Sequence, residues 1–326
     1  MRELIDSGLP VGSGGSRLLR GNHPEHEAVE EQAARFFGSE SALFFSCGFA
    51  ANSALFGTLP QRGDAVFCDE LVHASTHEGL RLGRAETVFF GHNEVDALER
   101  VIREWRGRGA TGTPWIAVES LYSMDGDFAP LAELARIAEE HDAILVVDEA
   151  HATGVFGPQG RGLVAELPSR ENIVTLHTCG KALGCEGALL CGPRVMREHL
   201  VNRARNFIFS TAPSPLVAAL AGKALEIIAQ GEDLRAGLRE RIAIAERLIA
   251  PLGVAVTGSP IMPFIIGADR ATMMAATMLQ AAGYDVRGIR PPTVPQGTAR
   301  LRIVITLNAT LADIEGLAEQ LGQIAR

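Results

Sequence analysis

The chain of 326 residues is long enough to bury a large core, and we expect one large domain with a smaller one attached. Hydrophobic residues make up 47% of the sequence and charged residues 21%, which is typical of a globular enzyme and excludes a largely disordered chain. The formal net charge of -9 provides no basic surface for nucleic acid, and no apolar run reaches membrane-spanning length.

The N-terminal residues and the cysteines bear on location and metal binding. Residues 1–6 lack the basic-then-apolar pattern of a secretory signal, so we expect a cytoplasmic protein. The five cysteines are odd in number and do not have the spacing of metal ligands. We therefore expect reduced thiols and no metal site.

The chain opens with a glycine-rich loop at residues 12–17, which could be a linker or could offer backbone N–H groups to an anion. Asn22 is expected to cap a helix from His23 to Phe37, with Gly38 at its end. The apolar residues of this segment recur on one helix face, so we interpret the helix as structural.

Two predicted strands then lead into polar segments. The strand at residues 41–45 is followed at once by Ser46-Cys47-Gly48-Phe49, which begins a helix, and a helix N-terminus after a glycine turn suits a phosphate. The strand at residues 63–70 is followed by His73. A lone histidine is more often structural, but at the carboxyl end of a strand it could stack on a planar cofactor.

Strands and helices continue to alternate as βαβ units, which predicts a mostly parallel sheet. The next strand is expected at residues 87–90, residues 115–127 are expected to form a buried strand with a polar exit, and helices are expected at 94–105 and 131–141. Glu119 and Ser123, at the exit of one strand, could face the same cleft.

Two buried strands carry the strongest chemical signal. The apolar run Ile144–Val147 ends in Asp148 and is followed by His151, and the run Ile173–Leu176 leads to Lys181. Asp148 and Lys181 could form only an ion pair. However, a lysine held neutral by desolvation can form an imine with an aldehyde, and a buried aspartate can keep a pyridinium nitrogen protonated. The arrangement indicates pyridoxal phosphate chemistry.

The remaining elements complete the large domain and begin a smaller one. A strand at residues 187–191 and a helix at Arg194–Arg203 precede Ser210 and Thr211, whose hydroxyls could contact a phosphate but are more typical of a helix cap. Residues 215–249 are expected to be helical with a break near Gly231, and Leu234 is expected on the buried face.

A smaller α/β unit is expected after these helices. Its predicted strands are 262–266 and 301–305, and its predicted helices are 272–282 and 311–324. We therefore assign residues 1–215 to an N-terminal loop and a large cofactor-binding domain, and residues 216–326 to linking helices and a small C-terminal domain.

Seven segments spread over nearly the whole chain together resemble the α-oxoamine synthases, which are fold-type I pyridoxal phosphate enzymes. They are residues 12–17, 46–52, 73–75, 123–127, 148–151, 178–184 and 290–295. The resemblance implies the α/β fold of a fold-type I PLP-dependent transferase, with a large mostly parallel-sheet domain and a smaller C-terminal α/β domain. Such enzymes condense an amino acid with an acyl thioester and release carbon dioxide.

The resemblance also implies roles around the cofactor, pyridoxal 5'-phosphate. Lys181 would bind its aldehyde, Asp148 would pair with its pyridinium nitrogen, and His151 would hydrogen-bond its phenolic oxygen. His73 would stack on the ring, and Ser123 would lie beside it. Lys181, His73, Asp148 and His151 are thus the expected catalytic residues.

Phosphate and substrate contacts follow from the same resemblance. The expected phosphate ligands are Thr178, the segment Cys47, Gly48 and Phe49, and, from the neighbouring subunit of a homodimer with shared active sites, Ser210 and Thr211. Ser16, Arg17 and Arg302 are the expected substrate contacts, and the guanidinium of Arg302 is suited to a carboxylate.

Residues 290–295 and 297–302 are most similar to the α-oxoamine synthases of biotin synthesis, which implies L-alanine and pimeloyl-CoA or pimeloyl-carrier protein as substrates. A sibling enzyme that uses glycine or serine with another acyl-CoA is the alternative. A catalytically silent partner subunit of the same fold is a further one. Residues 1–10 do not match the longer N-terminal segment of the family, so we expect a shortened N-terminus.

Overall fold

The computed structural model describes residues 2–167 and 171–324. The chain divides into two compact units, one formed by residues up to 121 and 129–231, and the other by residues 122–128 and those from 232 onward. This differs from the division expected at residue 215. The helix that begins at Pro215 belongs to the first unit because its apolar face packs in the core of that unit.

The elements of the first unit follow the alternation expected from the sequence. Its helices within the described residues are α1 (Arg2–Asp6), α2 (Pro24–Phe37), α3 (Gly48–Thr58), α4 (Ala74–Leu82), α5 (Val95–Gly107), α6 (Leu131–Glu140), α7 (Arg194–Arg203), α8 (Arg205–Ile208) and α9 (Pro215–Gln230). Its strands are β1 (Ser41–Phe45), β2 (Ala65–Asp69), β3 (Glu86–Phe90), β4 (Pro114–Glu119), β5 (Ile144–Asp148), β6 (Ile173–Thr178) and β7 (Ala188–Gly192).

These strands form one sheet in the order β1-β7-β6-β5-β4-β2-β3. Strand β7 is antiparallel to both of its neighbours, and the other pairings are parallel. The prediction of a mostly parallel sheet is therefore confirmed. Asp148 pairs in register with Glu119 on one side and Leu176 on the other, so the carboxyl ends of three central strands lie at one edge of the sheet.

Both faces of this sheet are covered, which explains why its strands are nearly continuous apolar runs. On β1, Leu43 and Phe45 pack with the core that includes α3, whereas Ala42 and Phe44 pack with the core of α2 and α9. The alternation follows from the period of two in a strand. The core shared by α2 and α9 holds α9 in the first unit.

One helix start differs from the prediction. Helix α2 is capped by His23 and not by Asn22, because Pro24 takes the first helical position and the His23 ring accepts the N–H of Glu25. The side-chain amide oxygen of Asn22 instead accepts a hydrogen bond from Arg17 Nε. Gly38 ends the helix as predicted, in the left-handed conformation with φ of 69°.

The second unit has a small antiparallel sheet in the order β8-β10-β9, with β8 at Ile261–Gly267, β9 at Arg287–Ile289 and β10 at Ala299–Val304. Its helices within the described residues are α10 (Glu232–Ile249), α11 (Asp269–Ala281) and α12 (Leu311–Ile324). Strand β9 was not predicted, since three residues give no detectable period. Leu234 was predicted to be buried, but it is 48% exposed.

In the part of the chain that the structure describes, no helix combines the length and apolar character needed to cross a membrane.

Candidate active site

Lys181 lies in the connection between β6 and β7, at the sheet edge where β5 also ends. Backbone hydrogen bonds close this connection, among them those from the N–H of Cys185 to the carbonyl of Cys179 at 2.8 Å and from the N–H of Gly184 to the carbonyl of Lys181 at 3.0 Å. The Lys181 side chain is exposed. The expectation that desolvation keeps its amine neutral is therefore not supported.

The Lys181 amine is in contact with His151. Lys181 Nζ lies 2.8 Å from His151 Nε2. Either an ammonium group donates to the ring nitrogen, or a neutral amine accepts the Nε2 proton, so the two nitrogens share one proton in the hydrogen bond. The pair is suited to proton transfer because both groups are weak bases and lie within hydrogen-bonding distance.

Asp148 ends β5 and is largely buried. Its Oδ2 accepts a hydrogen bond from the Asn52 side-chain amide at 2.9 Å, and its Oδ1 accepts the N–H of Ala150 at 3.0 Å. A carboxylate has more acceptor positions than these two hydrogen bonds occupy. Asp148 can therefore be held in place by the protein and still accept a hydrogen bond from a protonated ring nitrogen.

His73 precedes helix α4 and is its N-cap residue. Partial burial lowers the pKa of His73 from its usual value, the Asp148 carboxylate raises it, and the Lys181 cation lowers it. The imidazole thus experiences the charges of both of these predicted site residues. The structure brings His73, Asp148 and Lys181 into one electrostatic site, together with His151.

Two of the predicted phosphate-binding segments, the Cys47–Phe49 segment and Thr178, meet at the start of α3. Cys47 is the N-cap residue of this 11-residue helix, and its Sγ accepts the N–H of Ala50 at 3.5 Å. A Cβ atom on Gly48 would lie 3.9 Å from the Oγ1 of Thr178, so the helix start and the end of β6 are adjacent. The N–H groups of a first helical turn lack partners within the helix and attract anions.

These groups match pyridoxal phosphate in their chemistry. The anion site at Gly48 suits the phosphate, the Asp148 carboxylate suits a protonated ring nitrogen, and the Lys181 amine suits an aldehyde. His73 is an aromatic ring influenced by the same charges. The residues present therefore fit this cofactor.

Glu149 was not predicted as a site residue, yet it fixes the segment that carries His151. Its buried carboxylate accepts the N–H groups of Leu163 at 2.8 Å and Val164 at 3.0 Å. Burial raises the pKa of Glu149 to about 7, these two hydrogen bonds oppose the rise, and the charge of Asp148 adds to it. The Glu149 backbone carbonyl accepts the N–H groups of Ala152 and Thr153, which holds His151 in a tight turn.

The glycine-rich loop at residues 12–17 is not a free linker. Ser13 Oγ donates to the carbonyl of Ala212 at 2.7 Å, and the Ala212 N–H donates to the carbonyl of Gly15 at 2.8 Å. The loop is therefore docked beside Ser210 and Thr211, which are both exposed.

The favoured interpretation of Ser210 and Thr211 as a helix cap is wrong. Ser214 caps α9, because its Oγ accepts the N–H of Val217 at 3.4 Å. Pro215 at the first helical position fixes the preceding serine as the cap. The hydroxyls of Ser210 and Thr211 are left for another role.

Arg17, predicted to contact substrate, is buried. Its Nη1 donates to the Glu30 carboxylate at 2.7 Å, and its Nε donates to Asn22 at 2.7 Å. A buried arginine engaged in this way stabilises the fold, since breaking the pair would leave an uncompensated charge. We therefore interpret Arg17 as a structural residue. The Ser16 backbone carbonyl accepts N–H groups of the same turn, and a role for its side chain stays a prediction.

Ser123 and Arg302 lie in the second unit. Arg302 Nε donates to the backbone carbonyl of Ser123 at 2.6 Å. Their expected roles beside the cofactor ring and at the substrate carboxylate stay predictions of the sequence resemblance.

Sequence reasoning missed Asn52, Ser75 and Glu149 as site residues. Asn52 and Ser75 are within segments that carry the family resemblance, and each is a polar residue that is almost fully buried. A polar residue within the apolar start of α3 was the available signal for Asn52. Among the residues that the structure describes, no group of three or more His, Cys, Asp or Glu side chains could hold a metal ion.

Comparison with families and curated proteins gives consistent matches. The model of the aminotransferase class I and II family matches residues 1–321. A putative 8-amino-7-oxononanoate synthase of Desulforudis audaxviator is 44% identical over 316 residues, which cover 96% of this chain and 81% of the relative. The 8-amino-7-oxononanoate synthase of Citrifermentans bemidjiense is 41% identical over 321 residues, which cover 96% of this chain and 82% of the relative.

Solved structures with the same fold are also similar. A serine palmitoyltransferase from S. paucimobilis with a bound PLP-myriocin aldimine has a TM-score of 0.91 at 29% identity, covering 100% of this chain and 82% of that one. An 8-amino-7-oxononanoate synthase from Francisella tularensis has a TM-score of 0.82 at 27% identity, covering 99% of this chain and 90% of that one.

Proposed function

The chain belongs to the aminotransferase class I and II family and, within it, to the 8-amino-7-oxononanoate synthases, and from this premise we propose that it condenses L-alanine with a pimeloyl thioester. The products are 8-amino-7-oxononanoate, carbon dioxide and the free thiol of the carrier, and one proton is consumed. This is a step of biotin synthesis. The contact of Lys181 with His151, beside the buried Asp148, is the structural observation that carries the proposal.

The cofactor is pyridoxal 5'-phosphate, which when bound supplies an aldehyde for amino groups and a pyridinium ring that withdraws electrons from the carbon next to the bound nitrogen. Lys181 would provide the amine for the aldehyde, and Asp148 would keep the ring nitrogen protonated. Thr178 and the first turn of α3 would bind the phosphate, and His73 would stack on the ring.

The Lys181 amine removes the Cα proton of alanine and later returns a proton to that carbon. His151 assists because its Nε2 lies within hydrogen-bonding distance of Nζ and can accept or donate the shared proton. The α3 helix start adds no proton chemistry but fixes the position of the phosphate through its backbone N–H groups and its dipole.

A sibling enzyme that uses glycine or serine is the nearest alternative, and the serine palmitoyltransferase structures are its best support. The similarity to curated 8-amino-7-oxononanoate synthases is higher in identity and extends over nearly the whole chain, which favours alanine and a pimeloyl group.

A homodimer with shared active sites is part of the proposal. Ser210 and Thr211 are exposed and do not cap α9, and the neighbouring Phe209 is 72% exposed. A second copy of the chain that covers this segment would bury Phe209 and bring the two hydroxyls to the partner's phosphate. The expected cytoplasmic location stays a prediction of the sequence.

Subunit mixing tests the shared site. A chain with Lys181→Ala retains Ser210 and Thr211, and a chain with Ser210→Ala and Thr211→Ala retains Lys181. Each is expected to be inactive alone, whereas co-refolded mixtures should regain activity from the one complete site in each mixed dimer. Mixtures as inactive as their components would contradict shared sites.

The reaction itself is tested with the PLP-loaded protein, pimeloyl-CoA and one amino acid at a time, with mass analysis of the products. Alanine should give 8-amino-7-oxononanoate at a rate at least about tenfold above the rates of condensation with glycine and serine. Faster condensation with glycine or serine would assign the sibling function. Bound cofactor without condensation for any amino acid, with pimeloyl-carrier protein also tried, would favour the silent subunit.

A further inference from the structure

Asn52 occupies the centre of a hydrogen-bonded chain between two residues of the cofactor site. It lies on α3 and is 1% exposed. Its Nδ2 lies 2.9 Å from Asp148 Oδ2 and 2.9 Å from Ser75 Oγ. Ser75 Oγ in turn lies 2.8 Å from Nδ1 of His73. Two predicted site residues, far apart in sequence, are thus connected through two residues to which no role has been assigned.

The chemistry of these groups sets the direction of the chain. The Nδ2 group of Asn52 has two hydrogens and no acceptor, so the oxygens of Asp148 and Ser75 are both acceptors. The backbone N–H of Ser75 also points at His73 Nδ1, at 3.2 Å, and an N–H can only donate. Nδ1 is therefore unprotonated, the imidazole proton is on Nε2, and the Ser75 hydroxyl donates its hydrogen to Nδ1.

We propose that Asn52 is a positioning residue that, through this single chain, orients the Asp148 carboxylate and the His73 imidazole toward the cofactor ring. The proposal rests on the proposed function in naming the cofactor. With Ala150 on one oxygen and Asn52 on the other, the plane of the Asp148 carboxylate is fixed. The backbone N–H of Ser75 selects the Nε2–H form of His73, and the Asn52 amide, by occupying a lone pair of the Ser75 hydroxyl, directs the hydroxyl hydrogen to the same Nδ1.

The surroundings argue that this amide has a specific task. Apart from Ser53, the residues of α3 around Asn52 are apolar, and Ala51, Ala54 and Leu55 are buried in the core. An asparagine in a helix interior has lower propensity than alanine, and burying its amide costs free energy unless the amide is hydrogen-bonded. Both hydrogens of the amide point to site residues and none to the helix itself.

The first test measures cofactor affinity. Asn52→Ala preserves the helix, because alanine is the best helix former, and removes both hydrogen bonds. We expect the dissociation constant for pyridoxal phosphate to rise at least about tenfold, since one bond is to a carboxylate. Ser53→Ala, at the next buried position of α3, is the matched control and should change it less than about twofold. Unfolding midpoints confirm that each variant is folded.

Combining the Asn52 and Ser75 substitutions distinguishes one connected chain of hydrogen bonds from two independent contacts. If Asn52 acts on His73 through Ser75, Ser75→Ala should weaken cofactor binding, and adding it to Asn52→Ala should weaken binding by less than about twofold more. Asn52→Ala with unchanged affinity, or effects of the two substitutions that multiply in full, would overturn the proposal.

The ¹⁵N shifts of the His73 ring nitrogens test the chain of hydrogen bonds in the absence of the cofactor. In ¹⁵N NMR spectra of the cofactor-free protein at pH 8, with His73 assigned through a His73→Gln variant, we expect one neutral form protonated at Nε2. Ser75→Ala keeps the backbone N–H and should therefore keep this tautomer, but it should move the Nδ1 signal downfield, because the hydroxyl hydrogen bond to this unprotonated nitrogen is lost. A His73 ring protonated at Nδ1 would contradict the proposed chain of hydrogen bonds, whether or not the protein condenses alanine. Failure of the condensation assay alone would contradict only the proposed function.

Discussion

Lys181 Nζ and His151 Nε2 lie 2.8 Å apart although 30 residues separate them in the sequence. The neighbouring parallel strands β5 and β6 bring them together, because both end at the same edge of the sheet. The sequence contains two lysines, and the other, Lys223, is exposed on α9 and paired with Glu226 at 2.5 Å. The chain therefore offers a sharp test of which amine carries the chemistry.

Lys181→Ala should lower the rate of 8-amino-7-oxononanoate formation by more than about 1,000-fold, because the variant loses the base that moves the Cα proton. Lys223→Ala is the matched control, since it removes an exposed lysine outside the site and should retain nearly full activity. Rates would be measured by mass analysis of the product. Appreciable turnover by Lys181→Ala would remove the basis of the functional assignment.

Asp148→Asn should lower the same rate by at least about 100-fold, because a neutral amide does not favour a protonated ring nitrogen. The control is Asp142→Asn, just before the same strand. Asp142 is exposed and has a φ of 49°, a conformation that asparagine tolerates. Near wild-type activity in Asp148→Asn would show that the reaction does not depend on this carboxylate.

Glu149 should make stability depend on pH. Its pKa is about 7 in the folded chain and 4.5 as the ordinary value, so its contribution is complete below about 4.5 and is lost as the pH rises through 7. Relative to Glu149→Gln, the free energy of unfolding of the native chain should fall by up to about 3 kcal/mol between pH 5 and pH 8. Urea unfolding at both pH values measures the difference.

Glu166→Gln is the control for this effect, since Glu166 is an exposed carboxylate in the segment that Glu149 anchors. The difference in free energy of unfolding between Glu166→Gln and the native chain should stay constant with pH. If the difference in free energy of unfolding between Glu149→Gln and the native chain were also constant from pH 5 to pH 8, Glu149 would be ionised in the folded chain throughout that range.

His177 should make stability depend on pH in the opposite direction to Glu149. Burial lowers its pKa to about 3, and its ring stacks on Phe37 at 3.5 Å between centroids and contacts the hydroxyls of Thr153 and Thr175. Because the folded pKa is below 6.5, the stability it contributes is present above pH 6.5 and is lost as the pH falls toward 3.

The advantage of the native chain over His177→Gln in free energy of unfolding should therefore shrink by about 2 kcal/mol between pH 7 and pH 5. His199→Gln, which removes an exposed histidine, is the control and should show little change. An advantage that does not shrink on acidification would contradict a neutral, buried His177.

For physical reasons, the sequence predicted most of the sheet and several polar residues that the structure brings together at the carboxyl ends of its strands. Strands covered on both faces are apolar runs, and polar residues such as Asp148 stand out where the runs end. Helix α7 at Arg194–Arg203 and α12 at Leu311–Ile324 have the predicted bounds.

What the sequence could not reveal depends on contacts between distant residues. Asn52 meets Asp148 across 96 positions, and no local period indicates such a pair. Arg17 is adjacent to glycines in a polar loop, yet a buried ion pair with Glu30 decides its role. Conversely, Lys181 is flanked by small residues, yet its side chain is exposed in the β6–β7 connection.

The most direct test of the central claim is to reduce the PLP-loaded protein with borohydride and locate the cofactor by peptide mass spectrometry. We expect the reduced pyridoxal phosphate on the peptide that contains Lys181, in a stoichiometry near one per chain, and none on the peptide of Lys223. Attachment at Lys223, or no covalent attachment under conditions where the protein binds the cofactor, would contradict the account.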